Sequence, residues 1–184
     1  MRYPKKCMLK DCKDAVLRTV RQEDRTLLET FYRDLSEDQR WYMEHDFLNP
    51  EVMDRWFRKV GREELTSVIA LCDQRIAGHA ILNVAEFGST RHVGRFRIIV
   101  HPDFRKQRLG TWILLDLIQL AVDMELEILR TDVVVGIENT AIDAVAGFDF
   151  FKYAVIENYV KDPDGNFHDL AVMIKRLHKN WSDF

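Results

Sequence analysis

The densest run of chemically useful residues is Val100-His101-Pro102-Asp103-Phe104-Arg105-Lys106-Gln107-Arg108-Leu109-Gly110-Thr111. An apolar strand-like run stops at Pro102, which cannot donate to a ladder, and an apolar helical pattern begins at Leu109. The first amides of an α-helix have no intrahelical acceptor, and the dipole is positive at that end. Together they form an anion site best suited to phosphate. Arg105, Lys106 and Arg108 add positive charge, and Gly110 lets backbone come close to a ligand. The same residues would also suit a solvated basic loop ahead of a buried helix, and residue types alone leave both readings open.

Other constellations are poorer. Cys7 and Cys12 lie five apart across a polar turn with no second pair to complete a zinc site, and Cys72 is expected as a buried strand residue. His168-Asp169 is too little for a metal, so no metal is expected. Three cysteines make no disulfide framework and point to free thiols in a reducing cytoplasm. The start, Met1-Arg2-Tyr3-Pro4-Lys5-Lys6, has no apolar run behind it and is not expected to be a signal peptide. The 184 residues carry a net charge of −3, with 47% hydrophobic and 31% charged residues. That balance argues against a dedicated nucleic-acid binder. No apolar stretch is long enough for a membrane span.

The elements that must position the loop follow from periodicity. Lys5–Leu9 and Ala15–Thr19 read as strands, and Asp24 opens a helical pattern through Leu28, Phe31, Tyr32 and Leu35. Ser36 with Gln39 forms a capping box, and Asn49-Pro50-Glu51 starts a helix whose shared face is Val52, Trp56 and Val60, with Gly61 as its end. Ser67–Cys72 and Arg75–Val84 form a hairpin about Asp73-Gln74. Val93–Val100 is a further central strand. Leu109–Met124 is an apolar helix with a polar stripe of Asp116, Gln119 and Asp123. Thr131–Gly136 reads as a strand buried on both faces, and Asn139 as the cap of a helix through Phe148. Tyr153–Val160 and Phe167–Lys175 close the chain as a hairpin. Trp41, Tyr42, Phe47, Trp56 and Phe57 are expected in the core, or as one wall of an acceptor pocket. The sum is one α/β domain over 1–184, with a hairpin extension at 1–14 and a core at 15–176.

Arg105-Lys106-Gln107-Arg108-Leu109-Gly110 resembles the acyl-CoA motif of the GNAT N-acetyltransferase superfamily, as does the approach Val100-x-Pro102-x-x-Arg105. The element order over 15–176 and the Asn139-Thr140-Ala141 helix start are similar to that family too. The opening Tyr3-Pro4-Lys5, the stretch Leu35-Ser36-Glu37-Asp38-Gln39-Arg40 and the closing Gly165-Asn166-Phe167-His168-Asp169 resemble bacterial members, including protein-lysine acetyltransferase domains. The resemblance implies a mixed, mostly antiparallel central sheet flanked by helices on both faces. One departure is that Arg108 stands where the family has its first Gly. A positive φ there would cost a bulky residue about 1 kcal/mol or more.

The resemblance also implies acetyl-CoA as co-substrate. Its pyrophosphate would lie on Arg105, Lys106, Gln107, Arg108, Leu109, Gly110 and Thr111, with Asn139 as a further contact. Its pantetheine arm would run along Ile98, Ile99 and Val100, the amides of Ile99 and Val100 polarising the thioester carbonyl. The central strand carries no carboxylate, so Glu86 is the first candidate base and Glu138 the second, each also readable as a solvated loop residue. His79, His92 and His101 are further candidates, although a lone strand histidine is more often structural. The family's acid, a Tyr seven residues after the helix-starting Asn, falls on Ala146, and Tyr153 or Tyr159 are the substitutes.

Three functions follow. The first is an N-acetyltransferase acting on a primary amine of a protein lysine or small molecule. The second is a catalytically impaired acyl-CoA-binding regulatory module of the same fold. The third, a scaffold without coenzyme, sits poorly with the basic loop. Partners are then acetyl-CoA and an amine acceptor, with no nucleic acid or membrane, and a homodimer is allowed.

Overall fold

The computed structural model describes residues 3–10, 14–62 and 65–177; Cys12 and much of its turn lie outside them. Its elements are β1 (Lys5–Met8), β2 (Asp14–Thr19), α1 (Arg25–Asp34), α2 (Glu37–Trp41), α3 (Pro50–Phe57), β3 (Leu65–Cys72), β4 (Arg75–Val84), β5 (Val93–Val100), α4 (Leu109–Asp123), β6 (Ile128–Val134), α5 (Asn139–Ala146), β7 (Phe151–Lys161) and β8 (Phe167–Arg176). The strands hydrogen-bond in the order β1-β2-β3-β4-β5-β6-β8-β7, and β5 and β6 run parallel. This is the mixed, mostly antiparallel sheet that the family resemblance implied. No helix among the described residues is long and apolar enough to cross a membrane.

The chain forms two compact units. One comprises residues up to Asn83 together with Arg97–Leu115; the other comprises Val84–Phe96 and the residues from Asp116 onward.

In the first unit, α1 and α3 bury Leu28, Phe31, Tyr32, Met53, Trp56 and Phe57 against Leu65, Ile69, Ile76 and Ile81 of β3 and β4. The caps form as the sequence indicates. Ser36 Oγ accepts from the Gln39 amide while Gln39 Oε1 accepts from the Ser36 amide. Asn49 Oδ1 accepts from the Glu51 amide. The β3–β4 hairpin turns on Asp73 and Gln74 at φ 49° and 65°, a two-residue turn whose twist matches the strands. Two expectations change. The buried face of α3 is Met53, Trp56 and Phe57, because the helix ends at Phe57 and Val60 lies beyond it. Of the aromatic group, Phe47, Trp56 and Phe57 are buried, but Trp41 is exposed at the end of a five-residue helix.

In the second unit, β6 begins at Ile128, three residues earlier than its valines suggest, and it alternates. Leu129, Thr131 and Val133 are buried, while Arg130 and Asp132 are half-buried on the other face, where Asp132 joins Arg130 and Arg95. A strand that alternates in this way has one wetter face, unlike one covered on both sides. Asn139 is the first residue of α5 rather than its cap, and its Oδ1 accepts from the Gly136 amide at 2.9 Å. Of the polar stripe expected on α4, Gln119 and Asp123 are exposed, the Gln119 side-chain amide donating to Asp123 Oδ1 at 2.9 Å, whereas Asp116 is buried.

Candidate functional site

The chemistry of the first unit concentrates between β5 and α4. His101 follows β5 directly, and its amide donates to the Ala77 carbonyl at 2.9 Å. A 3-10 turn at Pro102–Phe104 follows. The His101 Nδ1 accepts from the Asp103 amide at 3.3 Å and lies 3.6 Å from Asp103 Oδ2, which leaves Nε2 as the ring's other nitrogen. That nitrogen is buried with no partner among the described residues.

Beyond the turn the backbone is strained. Lys106 and Arg108 take φ of 60° and 68°, a region L-residues enter at a cost. The positive φ at the family's Gly position is therefore real, and Arg108 adopts it. Arg108 in turn supplies the first helical acceptor: its carbonyl receives the Trp112 amide at 3.1 Å. The amides of Leu109, Gly110 and Thr111 precede that bond, at the positive end of a 15-residue helix. Arg105, Lys106 and Arg108 are all exposed beside them. Arg105 folds back so that its Nε donates to the Val100 carbonyl at 3.3 Å, which ties the guanidinium to the end of β5. The turn is braced from outside: the Trp112 indole donates to the Met8 carbonyl at 3.1 Å, and the Lys10 amide to the Gln107 carbonyl at 3.3 Å.

Two glycines set distances here. A Cβ on Gly78 of β4 would lie 2.7 Å from Ile113 Cδ1 and 3.3 Å from the Ile99 carbonyl, so this glycine lets α4 and β5 come close. A Cβ on Gly110 would meet Val100 Cγ2 at an ordinary 3.6 Å. The protein's own packing therefore tolerates a side chain at 110.

Behind this loop lies a polar network that sequence reading missed. His79 on β4 is fully buried, with Nδ1 2.6 Å from the Tyr32 hydroxyl and Nε2 2.7 Å from Ser67 Oγ. Burial pushes the His79 imidazole down to about 3 and the Tyr32 phenol well above its ordinary value. The ring is thus neutral, and the two hydroxyls take its one N–H and one lone pair between them. Phe31 makes edge contact with His79 and a tilted contact with His101. A histidine with both nitrogens engaged in a dry core is structural. The signal available in sequence was a polar residue, His79, inside an apolar strand whose hairpin partner carries Ser67.

The remaining candidates lie in the second unit. Glu86 is exposed on the segment after β4. Glu138 is half-buried, and its Oε2 accepts from the Val134 amide at 3.0 Å. Tyr153 and Tyr159 are exposed on β7, and Ala146 is exposed as the last residue of α5. The parallel ladder joins Val93–Arg95 to Ile128–Arg130, while β5 runs on to Val100. The structure gathers Ile98, Ile99, Val100 and Arg105–Thr111 in the first unit; Glu86, Glu138, Asn139 and Tyr153 belong to the second.

The acetyltransferase (GNAT) family model matches residues 27–150. No curated protein matches the chain by sequence. Among solved structures, a GNAT-family acetyltransferase from Streptococcus pneumoniae has a TM-score of 0.76 at 19% identity, covering 88% of this chain and 99% of that one. The GNAT domain of S. lividans PAT has a TM-score of 0.73 at 12% identity, covering 95% of this chain and 97% of that one. The yncA protein of Salmonella typhimurium, solved with its cofactor acetyl-CoA, has 0.74 at 16%, covering 91% and 96%. At these identities the structures establish a common fold.

Proposed function

The chain belongs to the GNAT family of acetyltransferases, and we propose that it moves an acetyl group from acetyl-CoA to a primary amine, on a protein lysine or a small molecule. One observation carries the assignment of the donor site. The amides that open α4 sit among three exposed basic side chains, at a glycine that the protein does not need for its own packing. A diphosphate fits that set of donors: fixed amides, a positive dipole and nearby guanidinium groups.

In this reading Arg105–Thr111 hold the pyrophosphate and Asn139 adds a contact. The backbone of Ile98, Ile99 and Val100, beyond the β5–β6 ladder, carries the pantetheine arm. The coenzyme supplies an activated thioester. The chain orients it and offers the Ile99 and Val100 amides to the carbonyl oxygen, where negative charge grows as the amine attacks. An amine attacks only when neutral, so a base must take the ammonium proton. Glu86 is proposed first because its carboxylate is exposed, and Glu138 second because one oxygen is already engaged by Val134. Tyr153 is the proposed donor to the departing thiolate. Water can replace it, since the thiol's pKa is near that of Cys, about 8.5.

The alternative, a binding module without turnover, is favoured by one observation: Ala146 ends α5 with no hydroxyl where the family places its acid. Two measurements separate the readings. Acetyl-CoA should raise the melting temperature progressively with concentration. Thiol release against lysine peptides, polyamines and amino acids should then find at least one acceptor. Stabilisation without thiol release supports the module, and no stabilisation at millimolar coenzyme removes both.

A further inference from the structure

The N-terminal extension supplies no group to the basic turn's chemistry, yet it grips that turn from outside. β1 stands at the end of the strand order beside β2, and the chain alternates there: Cys7 and Leu9 are buried, Met8 and Lys10 exposed. Each of the two exposed residues holds the turn through its backbone. The Met8 carbonyl accepts from the Trp112 indole at 3.1 Å, and the Lys10 amide donates to the Gln107 carbonyl at 3.3 Å. Leu9 lies between them and anchors both in the core. Gln107 is itself the residue between the two left-handed positions, Lys106 at φ 60° and Arg108 at φ 68°. Trp112 follows directly, its amide taking the Arg108 carbonyl while its indole reaches β1. Two such residues without glycine's freedom persist only where the surroundings over-determine them. Here one tripeptide holds the strained pair at its middle and just past its end.

We propose that residues 8–10 are a brace that sets coenzyme affinity, and that Trp112 is a positioning residue acting through it. The proposal rests on the reading of 105–111 as the coenzyme turn and deepens it. Without the brace, Lys106 and Arg108 relax toward ordinary φ, and the amides that open α4 lose their common aim. Basic side chains attract an anion whatever the backbone does, but amides serve as donors only when they are fixed in place beforehand. Coenzyme then binds only the fraction of molecules that keep the strained turn, and the apparent dissociation constant rises by the inverse of that fraction. The extension is in this way part of the donor site although it does not line it.

The test is acetyl-CoA binding to the full chain by calorimetry. Trp112→Phe keeps an aromatic ring and removes the indole donor. It should raise Kd about three- to tenfold, the range for one neutral hydrogen bond. Its melting temperature without ligand should stay within about 2 °C of the parent, because Trp112 is 40% exposed. Lys10→Pro removes the other donor by independent chemistry and should raise Kd about threefold or more, with unchanged far-UV circular dichroism showing that it folds. Coupling is reciprocal, so saturating acetyl-CoA should slow exchange of the Lys10 amide in the parent, and slow it less in Trp112→Phe. A group that only stabilised the fold would lower the melting temperature and leave Kd and that protection alone. A parent-like Kd for Trp112→Phe overturns the brace and leaves the coenzyme site standing. A parent that binds no acetyl-CoA removes the coenzyme reading, and the brace with it.

Discussion

The core around His79 and the loop before α4 belong to the same unit and treat polar groups in opposite ways. In the core, Tyr32 and Ser67 hydrogen-bond to the two nitrogens of His79, and aromatic rings pack on the imidazole. In the loop, helix-opening amides, three basic side chains and two positive-φ residues are kept at the surface. Buried polar groups gain from complete pairing, because an unpaired one costs about 1–3 kcal/mol. A site for a charged ligand needs the reverse, donors in place before the ligand arrives. Stability should therefore respond to the first region and ligand affinity to the second.

The largest test of that division is His79→Ala. It opens a cavity and strands two hydroxyls, and should cost about 3–5 kcal/mol in urea unfolding. Stability within 1 kcal/mol of the parent would show that the network is not what holds this core.

Acid should reach the same region. The folded His79 stays neutral down to about 3, whereas in the unfolded chain a histidine takes a proton below about 6.5. Between those values the unfolded state binds more protons, so stability falls as pH falls. The slope is at most about 1.4 kcal/mol per pH unit, and vanishes above about 6.5. Melting from pH 7 to pH 4 should show a decline that is shallower in a folded His79→Gln variant.

Charge reversal at Arg105 probes the loop. Arg105→Glu should weaken acetyl-CoA binding at least tenfold, about 1.4 kcal/mol, while the melting temperature without ligand stays near that of the parent. Unchanged affinity in calorimetry would remove the loop from coenzyme binding.

The smallest effect separates strain from charge. Arg108→Gly relieves the positive φ and should gain about 1 kcal/mol of stability. It should also weaken acetyl-CoA binding several-fold if the guanidinium meets phosphate. A gain in both would show that Arg108 contributes strain alone.

Much of this was legible in sequence where the signal is local. The Ser36–Gln39 box, the Asn49 cap, the Asp73-Gln74 turn and the limits of β5 depend on neighbours within a few residues, and they form as read. The departures came where a partner elsewhere decides. Val60 packs on the same core as Trp56 although α3 stops at Phe57, and β6 starts at Ile128 because β5 and β8 pair with it there. Asn139 turns back to Gly136 rather than capping α5. Of the proposed site, the basic loop and its helix were readable from residue types, whereas the carboxylates and Tyr153 rested on likeness.

The sequence by itself determined the order of elements, the break at Pro102 and the basic turn into an apolar helix, because periodicity, proline and charge act over a few residues. Tertiary structure decided that His79 is a sealed structural group, that Gly78 admits α4, and that Arg108 occupies a glycine's conformation. Each depends on what the folded chain brings against the residue from far along its length, and no local pattern encodes that.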